Sequence, residues 1–200
     1  MGKIFEFRPG SYIDPVNGTV GTNTNGEFVR SEKGIAWHGG GTGTQIEITE
    51  MTLDKDSASI ECWIKFGSNN NSAFILGNSD INTNKFLGFR GSNQLQLDSN
   101  TNNGIWTLYI PPFDKWIHIV ITANGDGNTY IDGVLVDTVA SLVDDVTFDL
   151  IGGAFGTPYD LDKEHYIGRI QIYDHVLTEK ERSDLYSEFL RSVPTNKIIR

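Results

Sequence analysis

The sequence predicts an all-β protein, two antiparallel sheets stacked as a sandwich with one short helix near the C-terminus. Three observations carry this. Apolar and polar residues alternate over short runs: Ile60, Cys62, Ile64 and Phe66 fall on one face, and Glu61, Trp63 and Lys65 on the other. Clusters of Gly, Asn, Asp and Pro separate about a dozen such runs, the punctuation of a sandwich. Helical spacing follows only one convincing start signal, Thr178 with Glu181.

Taken in order, residues 4–7 alternate and read as a strand. Residues 9–26 are rich in Gly, Asn, Thr and Pro, a long ordered loop or a meandering edge. Residues 28–37 suggest a hairpin around Lys33 and Gly34, and the glycines that follow turn the chain into an alternating strand at 45–49. The run 57–66 is the strongest early strand. Residues 73–76 return, and 85–90 with 94–98 form a hairpin around Gly91. Residues 104–110 make one more strand, ended by Pro111 and Pro112. Further strands follow at 116–123, 128–131, 134–139, 146–151 and 166–173, with an Asp132-Gly133 hairpin turn. In the capping box, the Thr178 hydroxyl and the Glu181 carboxylate exchange bonds with free backbone N–H groups, and Leu185, Tyr186 and Phe189 supply the buried stripe. The tail 192–200 is expected to act in assembly, its residues 194–200 forming a strand at a sheet edge.

A chain of 200 residues fits one large sandwich, here expected to span 1–200. A formal charge of −10 excludes a reader of the nucleic-acid backbone, which needs a basic stripe, and disfavours an anionic membrane partner. The single cysteine, Cys62, allows no intrachain disulfide. The first residues lack the apolar core of a signal peptide, so folding in a reducing cytosol is expected. No apolar run approaches membrane-spanning length.

The order of these elements resembles the LamG-like, concanavalin A-like jelly rolls, including the pentraxin branch. Phe5 and Phe7, the turn from Asp14 through Asn17 and Gly18, and the strand end at Trp37 and Gly39 resemble the family's opening. The segment 57–66 is similar to its central tryptophan-bearing strand. Trp116, then Tyr130 to Gly133, then Gly168 to Tyr173 with Leu177 and Glu181, match its closing strands and helix. The resemblance implies a two-sheet antiparallel jelly roll that usually serves binding rather than catalysis, and says little about the ligand.

Glycosidases of the laminarinase branch share this fold and carry alternate carboxylates on one strand, so that one acts as nucleophile and another as acid. No such triplet exists here: Glu47 and Glu50 have the wrong parity for one face, and Glu61 stands alone. No histidine pair has zinc-site spacing. Cys62 reads as a buried, inert thiol. The glycine runs at 39–43 and 152–156 lack the Lys-Ser/Thr and helix of a phosphate loop and read as rim turns.

The resemblance also makes Ca2+ a candidate ion, although none is required. A hard cation takes about six to eight oxygen ligands. Asp160 with Asp162, Asp80 with Asn82 and Asn84, and Asp14 with Asn17 are the candidate ligands. Gly153, Ala154 and Phe155 stand where the pentraxin branch has acidic residues, so half that pattern is missing. A solvated acidic loop remains the other reading. Among the aromatics, Trp63 and Trp116 read as core, while Trp106, Tyr109 and Tyr159 sit near loops, where a ring either stacks on a sugar or packs inward.

The expected function is a non-enzymatic structural and recognition module that binds glycans or neighbouring subunits. Asn-, Gly- and Thr-rich solitary jelly rolls suit a phage virion, as capsid decoration or fibre protein, found on the virion surface or in the cytoplasm of an infected cell. A homo-oligomer or larger assembly is expected, with Ile198, Ile199 and Ile4 as edge contacts. The alternatives are a soluble carbohydrate-binding lectin and a glycosidase on the same scaffold.

Overall fold

The computed structural model describes residues 2–39, 41, 43–67, 72–80, 85–90, 94–99, 105–154 and 165–192; of Ser72, Arg90 and residues 105–108 it describes the backbone alone. The chain runs β1 (Lys3–Phe7), β2 (Thr22–Thr24), β3 (Gly26–Ser31), β4 (Gly34–Gly39), β5 (Gln45–Leu53) and β6 (Ala58–Lys65). It continues with β7 (Ser72–Gly77), β8 (Lys85–Arg90), β9 (Leu95–Ser99), β10 (Ile105–Tyr109) and β11 (Trp116–Ala123). It ends with β12 (Gly127–Ile131), β13 (Val134–Val139), β14 (Val146–Ile151), β15 (Tyr166–Tyr173) and the helix α1 (Glu179–Arg191).

The first sheet has the order β13-β12-β11-β6-β15-β4-β3, with β1 also paired to β15. The second has the order β10-β9-β8-β7-β14-β5-β2. Every strand pair among the described residues is antiparallel. Residues 9–26 prove to be an edge: Ile13 bridges Val20, and β2 pairs with β5. There the chain steps from the second sheet to the first through Asn25, at φ 56°. Gly26 follows because a Cβ there would lie 2.4 Å from the ring of Trp37, whose Nε1 donates to Asn23 Oδ1.

The core between the sheets takes Ile60, Cys62, Ile64 and Phe66 from β6 and the segment after it, and Ile117, Ile119 and Ile121 from β11. Leu87 and Phe89 of β8 and Phe148 of β14 belong to the same cluster. The alternation at 57–66 therefore has the predicted sense. The opposite face is buried too, since every residue of β11 is buried. Strands buried on both faces need a second cover. Here α1 is part of it: Phe189 packs on Trp63 with ring centroids 5.6 Å apart, and the cluster includes Trp116 and Ala36. Trp63 and Trp116 are thus buried as expected, but in a satellite cluster on the outer face.

Both halves of the capping box at Thr178 are present. At the other end of α1, Lys33 Nζ donates to the Phe189 carbonyl oxygen and sits 3.9 Å from the Phe189 ring centre, tying the β3–β4 turn to the helix. No helix among the described residues is long and apolar enough to cross a membrane.

Candidate functional site

Strand register assembles one polar and aromatic row across the outer face of the first sheet. Glu27 of β3 pairs with His38 of β4, His38 with Tyr166 of β15, Tyr166 with Lys65 of β6, and Lys65 with Trp116 of β11. Their chain neighbours Phe28, Trp37, Ile167, Ile64 and Ile117 point inward, so the strand period turns all five outward. The rings of His38 and Tyr166 lie 5.2 Å apart, and those of Tyr166 and Trp116 6.5 Å apart. Trp116 reaches across β6 to Gly168, where an added Cβ would lie 2.9 Å from Cζ3 of the indole.

The row is charged at its margins. Lys65 Nζ lies 3.2 Å from Asp114 and 3.6 Å from Glu32, which reaches it from the β3–β4 turn. Burial works against the Lys65 charge, yet these two carboxylates hold its ammonium above its ordinary range. Glu27 lies 3.8 Å from His38 Nδ1, beyond hydrogen-bond reach. His38 Nδ1, Trp116 Nε1 and the neighbouring Trp63 Nε1 are buried with no hydrogen-bond partner.

Beside this row a second set is closed on itself. Glu61, with no exposed surface, accepts from Arg169 Nε at 3.2 Å and Nη2 at 2.9 Å, and His118 Nε2 lies 3.0 Å from its Oε1. Arg169 also stacks over Trp63 at 4.0 Å and pairs with Glu188 of α1 at 2.7 Å. Farther along, Glu6 is held by Lys3, Arg8 and Gln171. Burial pushes the Glu6 carboxyl up, but those three donors outweigh it and hold it below its ordinary value. Glu61 and Glu6 are the buried glutamates of this face, and both are engaged by cations. A general acid needs the opposite environment.

The sequence-derived site residues fare unequally. Trp106 lies in β10, with its side chain outside the described residues; Tyr109 is half-buried against the core. Tyr159, Asp160, Asp162, Asn82, Asn84, Ile198 and Ile199 lie outside the described residues. Asp80 is exposed, and its N–H donates to Asn78 Oδ1. Asp14 Oδ1 accepts from the N–H groups of Glu6 and Val16, and Asn17 Oδ1 accepts from the N–H and hydroxyl of Thr19. These oxygens shape the turn. Asp14 Oδ2 is buried without a partner, and Asp14 helps line a cavity of about 10 Å³, room for roughly one water. Among the described residues no three His, Cys, Asp or Glu side chains are grouped to hold a metal. Ile4 packs against the core from β1. Cys62 is buried, and burial pushes its thiol well above its ordinary range, as an inert cysteine requires.

His38, Lys65, Tyr166 and Arg169 were not singled out in the sequence. For Lys65, Tyr166 and Arg169 the signal was the set opposite the apolar one in the runs 57–66 and 166–173, while His38 lies outside the alternating runs. Which of these residues share a row depends on register between strands about a hundred positions apart.

Domain 4 of AbnA, an extracellular arabinanase from Geobacillus stearothermophilus solved in complex with arabinotriose, is similar in structure, with a TM-score of 0.69 at 18% identity. That match covers 92% of this chain and 98% of the other. The botulinum neurotoxin serotype D ligand-binding domain, in complex with N-acetylneuraminic acid, gives a TM-score of 0.69 at 15% identity, covering 93% of this chain and 50% of that one. The binding domain of Paraclostridial Mosquitocidal Protein 1 gives 0.62 at 17%, covering 94% and 52%. The chain thus spans about half the length of the neurotoxin and mosquitocidal-protein binding domains and nearly all of the arabinanase domain. These likenesses are of fold. No curated protein sequence matches significantly. The sequence pattern of the concanavalin A-like lectin/glucanases superfamily matches residues 39–181. The protein belongs to the concanavalin A-like lectin/glucanase superfamily.

Proposed function

We propose that the protein is a recognition module that binds carbohydrate without transforming it. The observation that carries this reading is the nearly end-to-end likeness to an arabinanase domain solved with arabinotriose. The state of the buried glutamates supports the non-catalytic part, because Glu61 and Glu6 are occupied by Arg169, Lys3 and Arg8. Aromatic side chains on a rigid sheet suit a sugar, whose C–H faces stack on rings while its hydroxyls bond to polar groups at the margin. The test is a titration of the purified protein against a panel of neutral and acidic oligosaccharides. Saturable binding is expected; no binding across the panel contradicts the reading.

The finer reading places this module on a virion, as capsid decoration or fibre protein that also touches neighbouring subunits. It rests on the Asn-, Gly- and Thr-rich sandwich composition, and a free lectin is its alternative. Virion attachment predicts copies of the protein in purified particles; recovery only from the soluble fraction of a lysate removes it. On the same reading, deleting residues 192–200 lowers oligomer mass while leaving the melting temperature nearly unchanged. A truncated protein of unaltered oligomer mass contradicts that role for the tail. Calcium stays a proposal of the same rank, with Asp80, Asn84, Asp160 and Asp162 as its ligands.

A further inference from the structure

We propose that Glu27, His38, Tyr166 and Lys65, the accessible part of the row on the outer face of the first sheet, with buried Trp116 beneath as support, form the sugar-contact surface, and that its ligand is a neutral oligosaccharide. This rests on the carbohydrate-binding reading above and gives it a place and a ligand class. The row joins the two kinds of group a sugar needs. Tyr166, half-buried, lies between the rings of His38 and Trp116 at 5.2 and 6.5 Å, an aromatic floor built by register on central strands rather than on a loop. Around it stand hydroxyl acceptors: the carboxylates of Glu27, Glu32 and Asp114 are 68%, 60% and 82% exposed. His38 Nδ1, Trp116 Nε1 and Trp63 Nε1 are buried, so they lie beneath this surface, and the hydroxyl partners on offer to a sugar are the exposed carboxylates.

Charge selects the ligand class. Three exposed carboxylates stand at this surface; Lys65 faces two of them, and Lys33, engaged by the Phe189 carbonyl and ring, also interacts with Glu32. A sugar carboxylate placed here meets like charge, whereas neutral hydroxyls donate to the same oxygens. An acidic sugar such as N-acetylneuraminic acid is therefore rejected.

The experiment screens the full chain on arabino-, xylo-, gluco- and galacto-oligosaccharides and on N-acetylneuraminic acid-terminated glycans, then titrates the strongest binder by calorimetry. The expected result is binding of a neutral glycan, with no measurable binding of the sialylated set. His38→Ala and Tyr166→Ala then weaken binding by about tenfold or more. Because Tyr166→Ala could also loosen the fold, the exposed positions give a second arm: Glu27→Gln and Asp114→Asn weaken binding several-fold with unchanged melting temperatures. Preference for sialylated glycans overturns the ligand class. Unchanged affinity in all four variants, with loss on Tyr109→Ala, overturns the row while leaving carbohydrate binding intact. No glycan binding at all removes both readings.

Discussion

Glu61 shows what a single residue does in this protein. Its carboxylate is wholly buried, and Arg169 and His118 meet it within 3.2 Å. Removing it leaves a buried guanidinium, only partly compensated by Glu188. Glu61→Ala should therefore cost about 3–5 kcal/mol in a urea unfolding experiment, and a loss below about 1 kcal/mol would contradict the account. Glu6 makes a pH prediction. Its folded-state value lies below the ordinary 4.5, so the stability it contributes is fully present above 4.5 and is lost as the pH falls through the folded value. Asp174, bonded to the Gly2 N–H, and Glu181, bonded to the Thr178 hydroxyl and N–H, shift the same way. Thermal melting should be flat at moderately acidic pH and fall below 4.5, with a shallower fall in Glu6→Gln. The inward place of Cys62 and the outward place of Glu61 were legible from parity. Arg169 as the partner of Glu61 was not, because 108 positions separate them and register sets that contact.

At the scale of the element, local signals read correctly. The Asp132-Gly133 turn has φ of 52° and 81°, both left-handed as a tight hairpin demands. Gly34 turns the β3–β4 hairpin at φ 103°. The helix begins at the capping box, so Thr178→Ala should lower stability by about 1 kcal/mol, measured by denaturant unfolding; no change would mean that Phe189, Lys33 and Arg169 hold α1 without its cap. Sheet order was less legible. β6 lies between β11 and β15, and nothing local in the sequence encodes that neighbourhood. The short β2 was hidden because Thr22, Asn23 and Thr24 have no apolar alternation. Its pairing with β5 defines it. Trp63 and Trp116 were readable as buried, but their burial outside the main core follows from α1 packing on the outer face.

For the whole molecule, two sheets close over one apolar core, while one outer face carries a helix-covered cluster and charge network from which an aromatic row runs out through Tyr166 and His38. The fold was legible because alternation and turn residues repeat along the entire chain. The row was not, since it draws one residue from each of five strands. A bound cation stabilises the folded state by mass action. If calcium binds at Asp160 and Asp162 or near Asp80, EDTA should lower the melting temperature and excess calcium restore it; identical melting curves would remove the ion. Binding without turnover is the claim on which the functional account depends. The most direct test incubates the protein with the neutral oligosaccharide it binds best and then weighs the recovered sugar by mass spectrometry. The account predicts saturable binding and a sugar of unchanged mass. Shortened products that accumulate with time and protein concentration would contradict it.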